Sequence, residues 1–288
     1  MPSNRPQGFQ CGRYELSLDR PLLMAIVNLT PDSFSDGGRH LDPRAAIDGA
    51  LAMVEQGADI LDLGAESTRP GARTVPADEE LARLLPVIEG LKDCGVPLSI
   101  DTRKPTVMRG VLEAGADMIN DIAGFVTEGA IEAVAGSACG LCVMHMQGEP
   151  SSMQQAPVYD DVVAQVEAFL GERVAALQAA GVDPARIVLD PGIGFGKTVD
   201  HNLQLLEALD ELGAMGLPLL VGVSRKSMIG ALTGQPVDRR LAGSLAAALA
   251  AVARGAQIVR VHDVAETRDA LRVWQAIEQG HGFDEQET

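Results

Sequence analysis

The sequence predicts a single-domain α/β fold, a (β/α)8 (TIM) barrel preceded by a short β-hairpin, and three observations point there. Eight short apolar, β-branched runs recur along the 288 residues, at 22–29, 60–64, 97–100, 118–122, 141–146, 187–189, 218–223 and 258–261. The segments between them repeat apolar residues every three or four positions, as in Val162, Val163, Val166, Phe169, Leu170, Val174 and Leu177, the period of an amphipathic helix. No linker, low-complexity run or charge block divides the chain. Strands that are apolar throughout and alternate with helices imply a parallel sheet covered by helices. Eight units fit a closed barrel; an open doubly wound sheet is the alternative that the count leaves.

Each element carries its own signals. Residues 9–18 alternate enough for a hairpin, expected to cover the N-terminal end of the barrel, so residues 1–21 form a leading segment. Asp42 before Pro43 reads as an N-cap with proline at the first helical position. Asp78, Glu79 and Glu80 place negative charge where a helix dipole favours it. Gly255 stands where a helix over 241–254 should stop. The barrel is expected over residues 22–279, with a polar, frayed tail over 280–288.

Composition narrows the function. Lys and Arg number 23 against 40 Asp and Glu, a formal charge of −17, which repels polyanions; no nucleic-acid or membrane-surface partner is expected. The N-terminus lacks a signal-peptide core, and the longest apolar stretch, 242–253, is short of the roughly 20 residues of a membrane span. A cytoplasmic protein is the expectation. Cys11, Cys94, Cys139 and Cys142 are too few and too irregular for a disulfide framework. Cys139 and Cys142 have C-x-x-C spacing, but no second Cys or His pair completes a zinc pattern, and both read as buried small residues.

In a parallel barrel, functional groups gather in the loops that follow the strands. Every run here ends in polar residues: Asn28 and Thr30; Glu66 through Arg69; Asp101 through Lys104; Asn120 and Asp121; His145 and Gln147; Asp190; Ser224 through Ser227; Arg260, His262 and Asp263. Of only four lysines, Lys104, Lys197 and Lys226 follow strand ends. The stretch from Gly192 to Thr198 imitates a phosphate-binding loop, but its first glycine lies one residue too close to Gly196-Lys197. It is no dinucleotide fingerprint either, because the last glycine of that pattern falls on Lys197.

Taken together, these motifs resemble the dihydropteroate synthase family. They are Asn28-Leu29-Thr30-Pro31-Asp32-Ser33-Phe34-Ser35-Asp36-Gly37-Gly38, Glu66-Ser67-Thr68-Arg69-Pro70-Gly71, Ser99-Ile100-Asp101-Thr102, Ile119-Asn120-Asp121-Ile122, His145-Met146-Gln147-Gly148, Asp190 through Lys197, Ser224-Arg225-Lys226-Ser227 and Arg260-Val261-His262-Asp263. Each alone is weak; eight in order are specific. Ile193 departs from a frequent Phe of the family and removes no polar role.

The resemblance implies condensation of 6-hydroxymethyl-7,8-dihydropterin diphosphate with 4-aminobenzoate to 7,8-dihydropteroate and diphosphate, in folate biosynthesis. It also implies a sulfonamide target and a homodimer. By resemblance, Asp101, Asn120, Asp190 and Lys226 read the pterin, with Ile122 and Met144 packed near the ring. Asn28, Thr68, Arg69, Arg260 and His262 take the diphosphate, and Asn28 offers an oxygen to Mg2+. Phe34, Thr68, Pro70, Gly194, Phe195, Lys226 and Ser227 form the 4-aminobenzoate site. Asp101, Lys226, Arg260 and His262 are the expected catalytic set. The two longest loops, 31–41 and 69–76, are rich in Gly, Pro, Ser and Asp and are expected to close over substrate. Two other functions compete: methyl transfer from a methyltetrahydrofolate to a corrinoid protein, which needs no diphosphate site, and a catalytically silent pterin-binding homologue.

Overall fold

A computed structural model describes residues 6–30, 42–67, 74–150 and 152–279. Among them, β1 (Gly8–Cys11) and β2 (Tyr14–Ser17) form an antiparallel hairpin. Eight parallel strands follow: β3 (Leu22–Asn28), β4 (Ile60–Gly64), β5 (Leu98–Asp101), β6 (Met118–Asp121), β7 (Gly140–Met144), β8 (Ile187–Asp190), β9 (Leu220–Gly222) and β10 (Ile258–Val261). The helices between and after them are α1 (Pro43–Glu55), α2 (Ala77–Leu91), α3 (Pro105–Glu113), α4 (Ala130–Val134), α5 (Val162–Ala179), α6 (Val199–Glu207), α7 (Leu209–Gly213), α8 (Ser227–Thr233), α9 (Leu241–Ala253) and α10 (Val264–Gln279).

The ladder runs β8-β7-β6-β5-β4-β3-β10-β9. A single parallel bridge, Leu189 opposite Leu219, completes the circle, with Leu189 N donating to Pro218 O at 2.8 Å. This closes the (β/α)8 barrel and removes the doubly wound alternative. Strand limits shift where chemistry requires it. The run expected from Pro97 begins its ladder at Leu98, because proline has no N–H to contribute; the run expected from Pro218 begins its ladder at Leu220, with Leu219 N given instead to Gln257 Oε1 at 2.9 Å. The fifth run ends at Met144, which puts His145 in the loop.

The helix signals hold. The Asp42 side chain accepts from Arg44 N at 2.9 Å at the start of α1. Gly255 follows α9 with φ 108, and its N–H donates to Val252 O at 3.0 Å. Cys139 and Cys142 are both buried, on opposite sides of the barrel wall: Cys139 among the helix-facing residues and Cys142 inside the barrel. No helix among the described residues is long and apolar enough to cross a membrane. The tail over 280–288 lies outside the described residues.

The barrel interior is built in layers by the two-residue period of the strands. Nearest the N-terminal ends, Leu22, Met24, Ile60, Met118, Cys142, Val188, Leu220 and Ile258 form one apolar cluster. The hairpin contributes Phe9 and Cys11 to it, both fully buried. A Cβ on Gly140 would stand 2.7 Å from Phe9 Cζ, so the ring fits only because that strand residue has no side chain. Arg13, in the hairpin turn, clasps Asp117 at 2.8 Å and 3.0 Å. The hairpin therefore seals this end, as the sequence suggested.

Candidate active site

One step further along, the inward positions of β4, β5, β6, β8 and β10 are polar. The β4 register places Asp62 beside Ser99 of β5, while Asp101 faces Asn120 of β6, Met144 faces Asp190 of β8, and Gly222 faces Arg260 of β10. Asp62 is fully buried and collects three donors: Arg260 Nε at 2.6 Å, Ser99 Oγ at 2.6 Å and Asn120 Nδ2 at 3.1 Å. Arg260 also gives Nη2 to Asp101 at 3.1 Å. Four strands, β4, β5, β6 and β10, are thus tied together below the barrel mouth through the Asp62 carboxylate.

Burial and the nearby carboxylate charges shape the protonation of these groups. Burial raises Asp101 to about 7, against the pull of Arg260, and the Asp62 charge adds to the rise. Asp190 is likewise raised by burial, although Lys226 and the Gly192 N–H oppose it. Lys226 is lowered to about 8 by burial, with Asp190 holding its charge in place. Burial works against the charge on Arg260, but Asp62 and Asp101 outweigh it and hold the proton more firmly than usual. The result is a low-dielectric ring of two cations and three acids at the centre of the site.

The structure brings most of the expected pterin residues together. Asp101, Asn120, Asp190 and Met144 sit at the inward ends of β5 to β8, and buried Ile122 follows β6. Asn120 Oδ1 is buried and has no hydrogen-bond partner among the described residues, so it is an acceptor available to a ligand N–H. Lys226 Nζ donates to Ile193 O and stands 4.7 Å from the Phe195 ring centroid, beside Gly194. Ser227 is exposed at the start of α8. His262 takes its position from Ser224, whose Oγ lies 3.0 Å from His262 Nδ1 and accepts its backbone N–H at 3.2 Å. Asn28 ends β3, half-buried, opposite Gly64. Phe34, Thr68, Arg69 and Pro70 lie outside the described residues.

The three strand-end lysines do not share one job. Lys104 bridges Glu66 and Glu80, each at 2.5 Å, and Glu66 accepts from Val75 N at 2.9 Å. The two ends of the loop after β4 are thereby joined. Glu80, in the first turn of α2 as expected, is turned inward onto Lys104 and buried. Arg103 and Arg225 are occupied by Glu149 and Asp263. Sequence reasoning missed Asp62, Ser99 as its donor, and Ser224 behind His262.

The chain matches the family model for pterin binding enzymes over residues 24–262. The chain belongs to the pterin-binding enzyme family. Within this family its likeness is to dihydropteroate synthases. It is 54% identical to the dihydropteroate synthase of Neisseria meningitidis serogroup C over 274 residues, 93% of this chain and 97% of that one. The Burkholderia cenocepacia dihydropteroate synthase complexed with 7,8-dihydropteroate superposes with a TM-score of 0.88 at 54% identity, covering 95% of this chain and 97% of that chain. The Xanthomonas albilineans enzyme with 4-aminobenzoic acid gives a TM-score of 0.89 at 51% identity, over 96% and 99% of the two chains.

Proposed function

We propose a division of labour for the reaction that this chain catalyses: condensation of 6-hydroxymethyl-7,8-dihydropterin diphosphate with 4-aminobenzoate to give 7,8-dihydropteroate and diphosphate. The observation that carries it is the polar ring inside the barrel, where Asp101, Asn120 and Asp190 converge and Asn120 Oδ1 is left as a buried acceptor. A dihydropterin presents a row of N–H donors along its aminopyrimidinone edge, and these acceptors suit it. Lys226 supplies a donor to the ring's acceptor atoms. Ile122 and Met144 give the ring an apolar wall.

The bond to break joins the pterin methylene carbon to a diphosphate oxygen; the bond to form joins that carbon to the amine nitrogen of 4-aminobenzoate, which then sheds a proton to solvent or diphosphate. An electron-rich ring lets the leaving group depart ahead of the amine, so the site's task is to stabilise separating charge. Asp101 and Asp190 favour positive charge on the pterin. Arg260, His262, Thr68 and Arg69 are assigned to the departing diphosphate. Arg260 therefore has two duties, since the same guanidinium is already bonded to Asp62 and Asp101.

Mg2+ fits this arrangement as an ion carried largely by substrate. Among the described residues no cluster of three or more His, Cys, Asp or Glu side chains could hold a metal, and Mg2+ is commonly held by few protein oxygens together with phosphates and water. Asn28, at the end of β3, is the protein oxygen proposed for it; a bound Mg2+ would neutralise the diphosphate. Gly194, Phe195, Lys226 and Ser227, with Phe34, Thr68 and Pro70, are assigned to 4-aminobenzoate. A homodimer is proposed on the resemblance and a cytoplasmic location on the sequence pattern; light scattering at twice 30.2 kDa would support the first.

Diphosphate release from the purified protein tests the reading. It should require the pterin diphosphate and Mg2+, 4-aminobenzoate should accelerate it, and a sulfonamide should compete with 4-aminobenzoate. Absence of release would overturn it, and methyl transfer to a corrinoid would replace it.

A further inference from the structure

Two buried titratable side chains have no part in the roles above. Lys197, 3% exposed, follows the glycine-rich turn after β8, and His145, 7% exposed, follows β7. Lys197 Nζ lies 2.9 Å from His145 Nδ1, 3.3 Å from His145 O and 3.0 Å from Phe195 O. Three acceptors around one nitrogen match the three N–H groups of an ammonium. Burial lowers His145 to about 3, so its ring is neutral and Nδ1 accepts. Burial also lowers Lys197 to about 7, a cost that the Asp190 charge partly offsets.

The turn that Lys197 grips has little rigidity of its own. Gly192, Gly194 and Gly196 take φ of 70, 84 and 62, conformations that glycine adopts freely but does not enforce. The turn is shaped from outside. Asp190 Oδ1 accepts from Gly192 N at 2.7 Å, and Asn202 Oδ1 from Gly194 N at 2.7 Å. From the loop after β7, Gln154 Nε2 donates to Gly194 O at 2.5 Å and Tyr159 Oη to Gly196 O at 2.9 Å. Lys226 meets the turn at Ile193 O and the Phe195 ring. Residues 192–196 are thus held by two lysines: Lys226 from the substrate pocket, and Lys197, which follows the turn and ties Phe195 O to the His145 end of β7.

We propose that Lys197 is a positioning residue for the 4-aminobenzoate subsite: held between His145 and the Phe195 carbonyl, it fixes the 192–196 turn so that the Phe195 ring and the Ile193 carbonyl stand where Lys226 meets them. The proposal rests on the assignment of Gly194, Phe195 and Lys226 to that subsite. It explains why a lysine is buried where no substrate group needs its charge. Methionine in its place would keep the length of the side chain and lose all three donors.

The test is steady-state kinetics on Lys197→Met and His145→Ala, with calorimetric binding of 6-hydroxymethylpterin as the control for the pterin pocket. Both variants should raise KM for 4-aminobenzoate about tenfold or more, while kcat changes by less than about threefold, the pattern of lost uniform binding. The KM for pterin diphosphate and the Kd for the free pterin should stay within about twofold of the parent values. If Lys197→Met does not fold, His145→Ala still removes the ring acceptor from the other side of the same contact. An unchanged KM for 4-aminobenzoate, or an equal rise for both substrates, overturns the proposal while leaving the proposed reaction intact. A parent protein that releases no diphosphate with both substrates overturns the reaction, and the proposal with it.

Discussion

Arg260 on β10 and Asp62 on β4 stand on either side of β3 and meet at 2.6 Å, although 198 residues separate them in the chain. Their contact joins the last strand of the barrel to the second, and through Asn120 and Ser99 it reaches two more. The same guanidinium reaches Asp101. The pair therefore serves fold and site at once.

Removing the acceptor should expose that dependence. Asp62→Ala leaves Arg260, Ser99 and Asn120 without their shared acceptor, and breaking a buried pair in this way costs about 3–5 kcal/mol. Urea unfolding should show that loss. Asp62→Asn keeps an oxygen for one donor and should lose less stability, with turnover falling in both variants.

Asp101→Asn should weaken pterin binding by about 1.5–3 kcal/mol, the range for a hydrogen bond to a charged group. Because burial raises the Asp101 carboxyl to about 7, pterin affinity in the parent should fall as pH drops below that value and the carboxylate takes up a proton. Stability runs the other way: the folded state holds this proton more tightly than the unfolded chain, so the contribution is complete below about 4 and is lost as pH rises through about 7. Asp101→Asn should flatten both profiles, measured by calorimetry and by urea midpoints between pH 4 and 8.

Gly192→Ala should be far more damaging than an exposed Gly→Ala change. A Cβ there would overlap the His145 carbonyl oxygen, and the residue holds φ 70. The left-handed backbone alone costs about 1–3 kcal/mol for a residue with a side chain, and the overlap forces the two loops apart. A lower thermal midpoint with a sharp loss of turnover is expected; Gly181→Ala, whose Cβ would meet nothing within 4 Å at a φ of 88, should show the backbone cost alone.

Glu66→Gln should act on the loop after β4 without touching the pterin residues. Glu66 accepts from Val75 N and Lys104, and an uncharged amide weakens the second contact. The expected outcome is a higher KM for 4-aminobenzoate with pterin affinity unchanged, read by the same kinetics and calorimetry.

The barrel and the strand-end residues were legible because strand and helix periods and loop polarity are local properties. Asp62 is not among the strand-end polar residues: it lies within β4, two positions after inward-facing Ile60. That two-residue step was the available signal, and it also marks Ser99 before Asp101. The Lys197–His145 contact had no such signal. It joins loops after different strands, 52 residues apart, and only the closing of the barrel puts them side by side.

The Phe9 plug at the far end of the barrel has a consequence for traffic. With that end filled, every molecule that comes or goes must use the one remaining opening. Diphosphate and the joined product must leave by the way the substrates came. A hairpin of a few residues, remote from the chemistry, thereby finishes the floor that the apolar layer of the barrel lays beneath the site.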